Sequence, residues 1–277
     1  MTPSEQKKAL ACAIRAARAA GSVMRQNLFA AKKINASSAH DIKLELDVRC
    51  QKLIERILHA TFPRVALLGE EGIAGDSEAS ERWVVDPIDG TVNFSYGIPH
   101  ACVSIALQVR AQVQSHGEAG TPHTTVVGVV YDPFCDELWT AIRGEPARLN
   151  GKIIRVSERN SLGEAIVSIG FAKTAATLNR TLPYFNKLVQ RVRKIRIMGA
   201  AALALTYVAT GRFDAYIESG IRLWDIAAGG LIIECAGGEF WHEPVPGTHK
   251  YRLLATNGRL RKKLEKLGYA ALSSKQR

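Results

Sequence analysis

Apolar positions in the first sixty residues recur at the spacing of an α-helix. Thr2-Pro3-Ser4-Glu5 is typical of a capping box with proline at the first helical position, and helical spacing follows through residues 10–24. A polar connector over residues 32–40 leads to a second set of apolar residues at helical spacing. We therefore predict one helix near the start of the chain and a second over about residues 44–60.

The next apolar runs are short and end abruptly in acidic residues, which is typical of buried strands that deliver side chains to a site. Residues 64–69 lead into Glu70-Glu71, and the polar loop predicted over 73–80 separates this strand from Trp83-Val84-Val85. The second run ends in Asp86-Pro87-Ile88-Asp89-Gly90-Thr91. Pro87 fixes one backbone angle and Gly90 permits a close approach, so the sequence predicts two acids held in rigid geometry.

The middle of the chain reads as an antiparallel meander. Its predicted strands cover 103–109, 126–131 and 137–143, with turn-rich segments at 114–122 and 132–133 between them, and Asn150-Gly151 predicts a further hairpin.

In the second half, strands and helices alternate. We predict strands over 165–171, 194–198, 214–218, 238–242 and 252–256, and helices over 178–193, 200–210, 224–235 and 259–267. Since the chain contains no internal repeat and no long linker, we expect its two halves to pack as layers of one αβ unit with a cleft between them.

Composition adds few constraints. The chain has 277 residues, of which 47% are hydrophobic and 23% charged, and no window approaches the roughly 18 consecutive apolar residues of a membrane span. The N-terminus lacks a secretory pattern, and the five cysteines are odd in number and scattered. We expect a soluble, cytoplasmic protein with no membrane partner.

The net charge of +11 invites a nucleic-acid interpretation. Basic residues are dense only over 187–196 and 259–266, and either segment also fits a solvated helix face. The excess is equally compatible with a field that favours an anionic substrate.

Three acidic clusters stand at predicted element ends: Glu70-Glu71, Asp86 with Asp89, and Asp225. Taken singly, they fit a solvated loop, a turn and a helix N-cap. Gathered at one point, they would repel each other unless cations neutralised them, and oxygen-only ligands favour Mg²⁺. Two or three Mg²⁺ ions suit hydrolysis of a phosphomonoester, with phosphate at a helix start near Gly90 and the Thr91 hydroxyl beside the attacking water.

Gly69-Glu70-Glu71, the run from Asp86 to Thr91, and Trp224-Asp225-Ile226-Ala227-Ala228-Gly229 resemble the signature motifs of the inositol monophosphatase family. An Asp41…Asp47 segment upstream and Arg196-x-x-Gly199-x-Ala201 extend the resemblance over nearly the whole chain. The resemblance implies one domain over 1–277 with a layered αβαβα sandwich, the α/β (α+β) fold of the inositol monophosphatase / fructose-1,6-bisphosphatase type. Approximate sub-parts would be a metal-binding half, 1–160, and a substrate-side half, 161–277. It also implies a Mg²⁺-dependent, lithium-sensitive phosphatase that is commonly a homodimer.

Carried over by motif, the resemblance assigns Glu70, Asp86 and the Ile88 carbonyl to one Mg²⁺, and Asp86, Asp89 and Asp225 to a second. Glu70 would help to place a third ion. Asp47 matches the acid that hydrogen-bonds the motif threonine, so Asp47, Glu70 and Thr91 form the expected catalytic group that activates the water.

The resemblance also implies a substrate-binding set. Phosphate would contact the Gly90 and Thr91 backbone beside Asp89 and Asp225, while Glu218 matches an acid that binds substrate hydroxyls and Gly199, Ala200 and Ala201 match the opposite wall. Position 200 is alanine where the family usually has serine or threonine, and Gly72 replaces a common serine. Both departures concern the substrate and leave the metal ligands intact.

The expected substrate is inositol-1-phosphate or a related small polyol phosphate, since Thr91-Val92-Asn93-Phe94 resembles the inositol monophosphatase branch. Histidinol phosphate, fructose-1,6-bisphosphate and 3'(2'),5'-bisphosphate nucleotides are alternatives within the superfamily. An RNA- or transcription-complex-binding scaffold is the alternative of another class, which we regard as at most an additional role.

Overall fold

The structure is a computed structural model that describes residues 1–37, 42–76, 79–110, 123–171 and 175–268. Asp41 and the turn-rich segment 114–122 of the sequence analysis lie outside the described residues. The described helices are α1 (Pro3–Asn27), α2 (Glu45–Thr61), α3 (Thr91–Ser95), α4 (Ala175–Val189), α5 (Ala201–Ala209), α6 (Leu223–Cys235) and α7 (Arg261–Lys266), and one 3₁₀ turn covers Leu162–Glu164.

The described strands lie between these helices, singly or in succession, along the chain. They are β1 (Ile34–Ser37), β2 (Ile42–Leu44), β3 (Ala66–Gly69), β4 (Gly72–Ala74), β5 (Glu81–Asp89), β6 (Cys102–Arg110), β7 (His123–Asp132), β8 (Glu137–Ile142), β9 (Arg148–Leu149), β10 (Lys152–Ile153), β11 (Ile166–Ile169), β12 (Lys194–Arg196), β13 (Ala215–Ile221), β14 (Glu239–Pro244) and β15 (Tyr251–Thr256).

The predicted capping box starts α1. The Thr2 backbone N–H donates to Glu5 Oε2 at 2.6 Å, and the Glu5 N–H donates to Thr2 Oγ1 at 3.3 Å. These reciprocal bonds satisfy backbone donors that the helix itself leaves without partners. Helix α2 confirms the second predicted helix to within a residue at each end.

An eight-stranded sheet carries the first half, in the order β10-β9-β8-β7-β6-β5-β3-β4. The predicted meander is confirmed as β6, β7 and β8, and the Asn150-Gly151 hairpin joins β9 to β10 with positive φ at both turn residues. Two predicted loops contain strands that are too short to show an alternating pattern. These are β1, in the predicted connector, and β4, which returns antiparallel beside β3 after the Glu70-Glu71 turn.

A five-stranded sheet carries the second half, in the order β12-β11-β13-β15-β14. Strand β11 pairs parallel with β12 and β13, whereas β15 pairs antiparallel with β13 and β14.

Three apolar clusters separate the molecule into layers. The first joins α1 and α2 to one face of the eight-stranded sheet, around Trp83 and Ile105. The second packs α5 and α6 between the two sheets, with Val84 on one side and Leu253 on the other. The third covers the far face of the five-stranded sheet with α4 and α7. This succession of helix, sheet, helix, sheet and helix confirms the predicted αβαβα sandwich.

Helix α6 lies very close to the eight-stranded sheet. A Cβ atom on Gly128 would lie 2.9 Å from the Ala228 carbonyl oxygen, so the glycine permits this approach. Among the described residues, no helix combines the length and the apolar character needed to cross a membrane.

Candidate active site

Parallel pairing of β3 with β5 brings the first two acids together. Gly69 is the register partner of Val85, and the Glu70 N–H donates to the Val85 carbonyl at 3.2 Å. Strand β3 ends at this level while β5 continues to Asp89, and the side chains of Glu70 and Asp86, which follow this register pair, are joined by a hydrogen bond. The register of β3 against β5 therefore explains why these two acids, which are separated along the chain, lie next to each other.

The side chain of Gln51 hydrogen-bonds the backbone of the Glu70-Glu71 turn, a role that the sequence did not predict. Its Oε1 accepts from the Glu71 N–H at 2.9 Å, and its Nε2 donates to the Gly72 carbonyl at 3.2 Å. A Cβ on Gly69 would lie only 2.2 Å from Gln51 Oε1, so glycine is required where this side chain crosses. Gln51 lies on a buried position of α2, and a polar residue at such a position is the signal that could have revealed it.

The pairing of β5 with β6 is irregular between Asp86 and Asp89. Pro87 lies in this interval and has no backbone N–H to donate to the neighbouring strand. The Ile88 N–H donates to Asp86 Oδ1 at 3.0 Å, and the Thr91 hydroxyl donates to the Ile88 carbonyl at 2.8 Å. Gly90 then takes the left-handed conformation, with φ 92°, and starts α3. A Cβ there would lie 2.9 Å from the His100 carbonyl oxygen, so both conformation and space require glycine.

Asp225 reaches the same point from the first turn of α6. It is not the N-cap, since the helix begins at Leu223 and Arg222 is the capping position; instead, Asp225 Oδ2 accepts from the Arg222 N–H at 2.8 Å. Ser104, the register partner of Asp86 on β6, donates its hydroxyl to the Trp224 carbonyl at 3.2 Å. The sheet thereby fixes the start of this helix beside the acids.

Carboxylate oxygens of Asp86, Asp89 and Asp225 lie within 4.8 Å of one another. Burial raises the pKa of Asp86 well above its ordinary value, and the charges of Glu70, Asp89 and Asp225 raise it further. Burial also raises the pKa of Asp89 to about 6, and burial followed by the charge of Asp89 raises that of Asp225.

This donor set fits a hard divalent cation. Carboxylates gathered and buried in this way gain stability from a positive charge between them, and oxygen ligands are those that Mg²⁺ prefers. Glu70, Asp86 and Asp225, together with Asp89, are the residues that would hold it.

Asp89 also connects the carboxylates to α5. Its Oδ1 accepts from the Ala201 N–H at 3.0 Å and its Oδ2 from the Ala202 N–H at 2.7 Å, while the Cys102 thiol lies 3.5 Å from Oδ2. Ala200 is the N-cap of α5 and provides no side-chain cap. Asp89 therefore supplies from a distance the cap that alanine at position 200 cannot supply.

Asp47 is buried in the first turn of α2, where its Oδ2 accepts from the Leu44 N–H at 2.8 Å. The Thr91 hydroxyl is oriented by its bond to the Ile88 carbonyl. The functional pairing of Asp47 with Thr91 stays a prediction.

A cavity of about 480 Å³ opens beside the carboxylates and includes every predicted site residue except Asp47 in its lining. Across it stands Glu218, which accepts a hydrogen bond from the Tyr216 hydroxyl and has its pKa raised to about 7 by burial. Gly170 lies directly against the Glu218 carboxylate, where a Cβ would collide. Beside Ser168, the wall around Glu218 is mostly apolar, and includes Ile169, Phe171, Ile197, Met198 and Ile221.

Asn93 ties the two sides of this cavity together, a role that the sequence analysis missed. Its Nδ2 donates to the His100 carbonyl at 2.9 Å and to the Met198 carbonyl at 2.8 Å, the latter 105 residues away. Gly199 follows Met198 with φ 73°, and a Cβ there would lie 3.2 Å from Asn93 Nδ2. The Gly199 loop is therefore positioned by the same short helix, α3, that follows the carboxylates.

The layered α/β fold thus places a buried group of carboxylates in a cleft, an arrangement that fits a divalent cation. The model of the inositol monophosphatase family matches residues 5–275, so the chain belongs to that family, whose members are phosphoric monoester hydrolases.

Relatives of two kinds resemble the chain. Inositol monophosphatase 2 of Solanum lycopersicum is 40% identical over 82% of this chain and 84% of its own length, and Nus factor SuhB of Pasteurella multocida is 38% identical over 82% of both. Among solved structures, the SuhB protein of Bartonella henselae is 31% identical, with a TM-score of 0.82 over 94% of this chain and 98% of that one. An inositol monophosphatase from Anabaena is 32% identical, with a TM-score of 0.79 over 94% and 95%.

Proposed function

We propose that this protein is a Mg²⁺-dependent phosphatase that hydrolyses inositol-1-phosphate or a related small polyol phosphate. The observation that carries the proposal is the approach of Asp86, Asp89 and Asp225 to within 4.8 Å in a cleft that also contains Glu218. The first group fits the cation, and Glu218 offers a hydroxyl acceptor on the opposite wall.

In the proposed reaction, water attacks phosphorus, the P–O bond to the polyol breaks, and the leaving alkoxide takes up the proton that the attacking water has lost, which gives the alcohol and inorganic phosphate. When bound, Mg²⁺ polarises phosphate oxygens and lowers the pKa of a coordinated water. The Thr91 hydroxyl orients the attacking water, and the Asp47 carboxylate paired with it accepts the proton of the water, with Glu70 assisting. The backbone of Gly90 and Thr91, at the start of α3, receives the phosphate.

Glu218 selects the polyol. As a carboxylate with one oxygen engaged by Tyr216, it keeps acceptor capacity for a substrate hydroxyl. The Gly199–Ala201 segment approaches the substrate from the other side, and the backbone rather than a hydroxyl of residue 200 lines it. This arrangement supports recognition of a compact polyol with few hydroxyl contacts.

The test is a panel of phosphomonoesters assayed for phosphate release with Mg²⁺. It contains inositol-1-phosphate, histidinol phosphate, fructose-1,6-bisphosphate and a 3'(2'),5'-bisphosphate nucleotide, each with and without lithium. We expect the largest kcat/KM for inositol-1-phosphate and inhibition by lithium. Preference for another member would reassign the substrate, and no release from any member would remove the phosphatase proposal. Homodimer formation and a cytoplasmic location stay predictions, the latter supported by five unpaired thiols.

A second function, contact with RNA, is favoured by one specific observation. The first basic segment of the sequence analysis runs from the end of α4 into the edge strand β12, and the second forms α7, which packs with α4 against one face of the same five-stranded sheet. Their exposed cations include Lys187, Arg191, Arg193, Lys194, Arg196, Lys262, Lys263 and Lys266. Such a surface fits a phosphate backbone, and several relatives carry the name Nus factor SuhB.

A gel shift with single-stranded RNA at low and moderate salt tests this second function. We expect Arg193→Glu with Lys194→Glu to abolish binding and Lys7→Glu with Lys52→Glu, on the exposed surface of the opposite outer layer, to weaken it little. Each lost phosphate contact lowers the slope of the logarithm of the binding constant against the logarithm of the salt concentration by about one. Equal loss in both double variants would show that only net charge matters and would remove the surface.

A further inference from the structure

Apolar side chains at the mouth of the cavity of about 480 Å³ are exposed to solvent. Ile197 is 61% and Val92 43% exposed, and both line this cavity. Phe171 and Met198, which are partly buried, line it as well. We call these four residues the apolar rim. A single exposed apolar residue is ordinary, whereas several around one cavity indicate a surface that a ligand covers.

The apolar rim is held in place by contacts within the protein. Asn93 follows Val92 on α3, and its Nδ2 donates to the Met198 carbonyl at 2.8 Å. This bond joins α3 to the loop on the other side of the mouth. The Phe171 ring packs edge to face on Phe185 of α4, with centroids 5.7 Å apart and 67° between their planes. Because the surface is already formed, a ligand that covers it loses little affinity in ordering it.

The polar side chains beside the rim have their donor groups engaged. The Ser168 hydroxyl donates to the Arg196 carbonyl at 3.3 Å, and the Tyr216 hydroxyl donates to Glu218. Both N–H groups of Asn93 Nδ2 donate to backbone carbonyls. These three side chains therefore have no N–H or O–H group left for a substrate. The part of a leaving group that extends past Glu218 meets mainly carbon atoms.

The proposed reaction brings the leaving group to the rim. The backbone of Thr91 receives the phosphate, and the next residue along α3 is Val92, so the alcohol lies between the rim and Glu218. An unsubstituted polyol phosphate, such as inositol-1-phosphate, engages the carboxylates and Glu218 but leaves Ile197 uncovered.

We propose that the apolar rim is a subsite for an apolar substituent on the leaving alcohol, so that the substrate class is a polyol phosphate that also carries an aryl or alkyl ether. Glu218 accepts from a hydroxyl of the polyol, and the substituent covers Ile197 and Val92. The bond that breaks is the same P–O bond as in the proposed function, on which this inference rests.

Glycerol 1-phosphate and its 3-O-benzyl ether are the matched substrates, since both keep the phosphate and the hydroxyl at carbon 2. Phosphate release is measured with the full-length protein and Mg²⁺. We expect kcat/KM to be at least about tenfold larger for the ether, because the benzyl group removes apolar surface from water. If both esters are hydrolysed with equal kcat/KM, the rim is not a substrate subsite, and the phosphatase proposal stands without it.

Calorimetry decides the case in which neither ester releases phosphate. With Mg²⁺ present, binding of the ether at least about tenfold tighter than that of glycerol 1-phosphate supports the rim as a subsite, and equal dissociation constants overturn it. The panel of phosphomonoesters decides separately whether the protein is a phosphatase.

Ile197→Ser and Ile153→Ser form a matched pair of variants. Both replace an isoleucine that is more than half exposed, at 61% and 53%, and Ile153 lies on β10 outside the described lining of the cavity. We expect Ile197→Ser to lower the preference for the ether at least about threefold and Ile153→Ser to leave that preference unchanged. An equal preference in both variants would contradict the assignment of Ile197. A wild-type dimer that shows no preference for the ether and dissociates in Ile197→Ser would assign the rim to a second copy and overturn the proposal.

Discussion

The two walls of the cavity of about 480 Å³ are built in different ways. On the carboxylate wall, each acid is placed by the strand or helix that carries it, through register, a bulge or a first helical turn. On the opposite wall, the Gly199 loop and the start of α5 are placed by side chains from the first wall, Asn93 and Asp89. The carboxylate wall is therefore local in origin, and the substrate wall is positioned by it.

The largest effect is expected when one acid of the carboxylate wall is replaced. Asp86→Asn or Asp225→Asn should lower kcat at least about 100-fold. Mutation of a residue that only supports a metal ligand typically lowers activity or metal affinity about 10- to 100-fold, and removal of the ligand itself should lower activity at least as much. The metal-free Asp86→Asn protein should unfold at the same or a higher temperature, since the substitution removes a charge that burial disfavours. Glu158→Gln, at an acid whose side chain is 90% exposed, is the control. Near-normal kcat in either Asn variant would refute the metal assignment.

The second-largest effect is expected when the connection between the two walls is removed. Asn93→Ala removes the donor that holds His100 and Met198, two bonds worth about 1 kcal/mol each. We expect kcat/KM to fall about tenfold while binding of Mg²⁺, measured by calorimetry, changes little. Ser95→Ala on the same helix, which loses only a bond to Val92 within the turn, is the matched control. A matching loss of Mg²⁺ affinity in Asn93→Ala would mean that the walls are one unit.

A smaller effect concerns the substrate wall alone. Glu218→Gln should raise KM for inositol-1-phosphate up to about tenfold, the scale of a hydrogen bond to a charged acceptor, with kcat nearly unchanged. A phosphomonoester without free hydroxyls should show no such rise. If both substrates respond alike, Glu218 acts on the phosphate or the metal and not on the polyol.

The smallest effect is on thermal stability. Burial raises the pKa of Asp89 to about 6 and that of Glu218 to about 7. Groups with a raised pKa in the folded state stabilise it below their unfolded pKa, and that stability is lost as pH rises through the folded value. Metal-free protein should therefore show a falling Tm between about pH 4 and pH 7, from the unfolded values of these carboxyl groups to their folded values, and Mg²⁺ should reduce the fall. A Tm that rises over this range without metal would contradict these pKa directions.

Much of the first wall could be predicted from sequence, because Glu70, Asp86 and Asp89 stand at the ends of apolar runs whose strand character is evident. Gly90 likewise predicts a turn at its position, because glycine readily takes a positive φ. Asn93 and Gln51 could not be assigned roles, since what each contacts depends on packing between distant segments and leaves no local pattern. The strand β4 was missed for a related reason, because three residues cannot display an alternation.

The bonds from Asp89 to α5 have a consequence for how this protein can change over evolution. Both are made to backbone N–H groups of Ala201 and Ala202, which every residue except proline possesses. The partly exposed side chain of Ala201 can therefore be exchanged without removing the bonds of the carboxylate that anchors the helix. A lineage could alter the cavity lining at position 201 while the carboxylates are inherited unchanged.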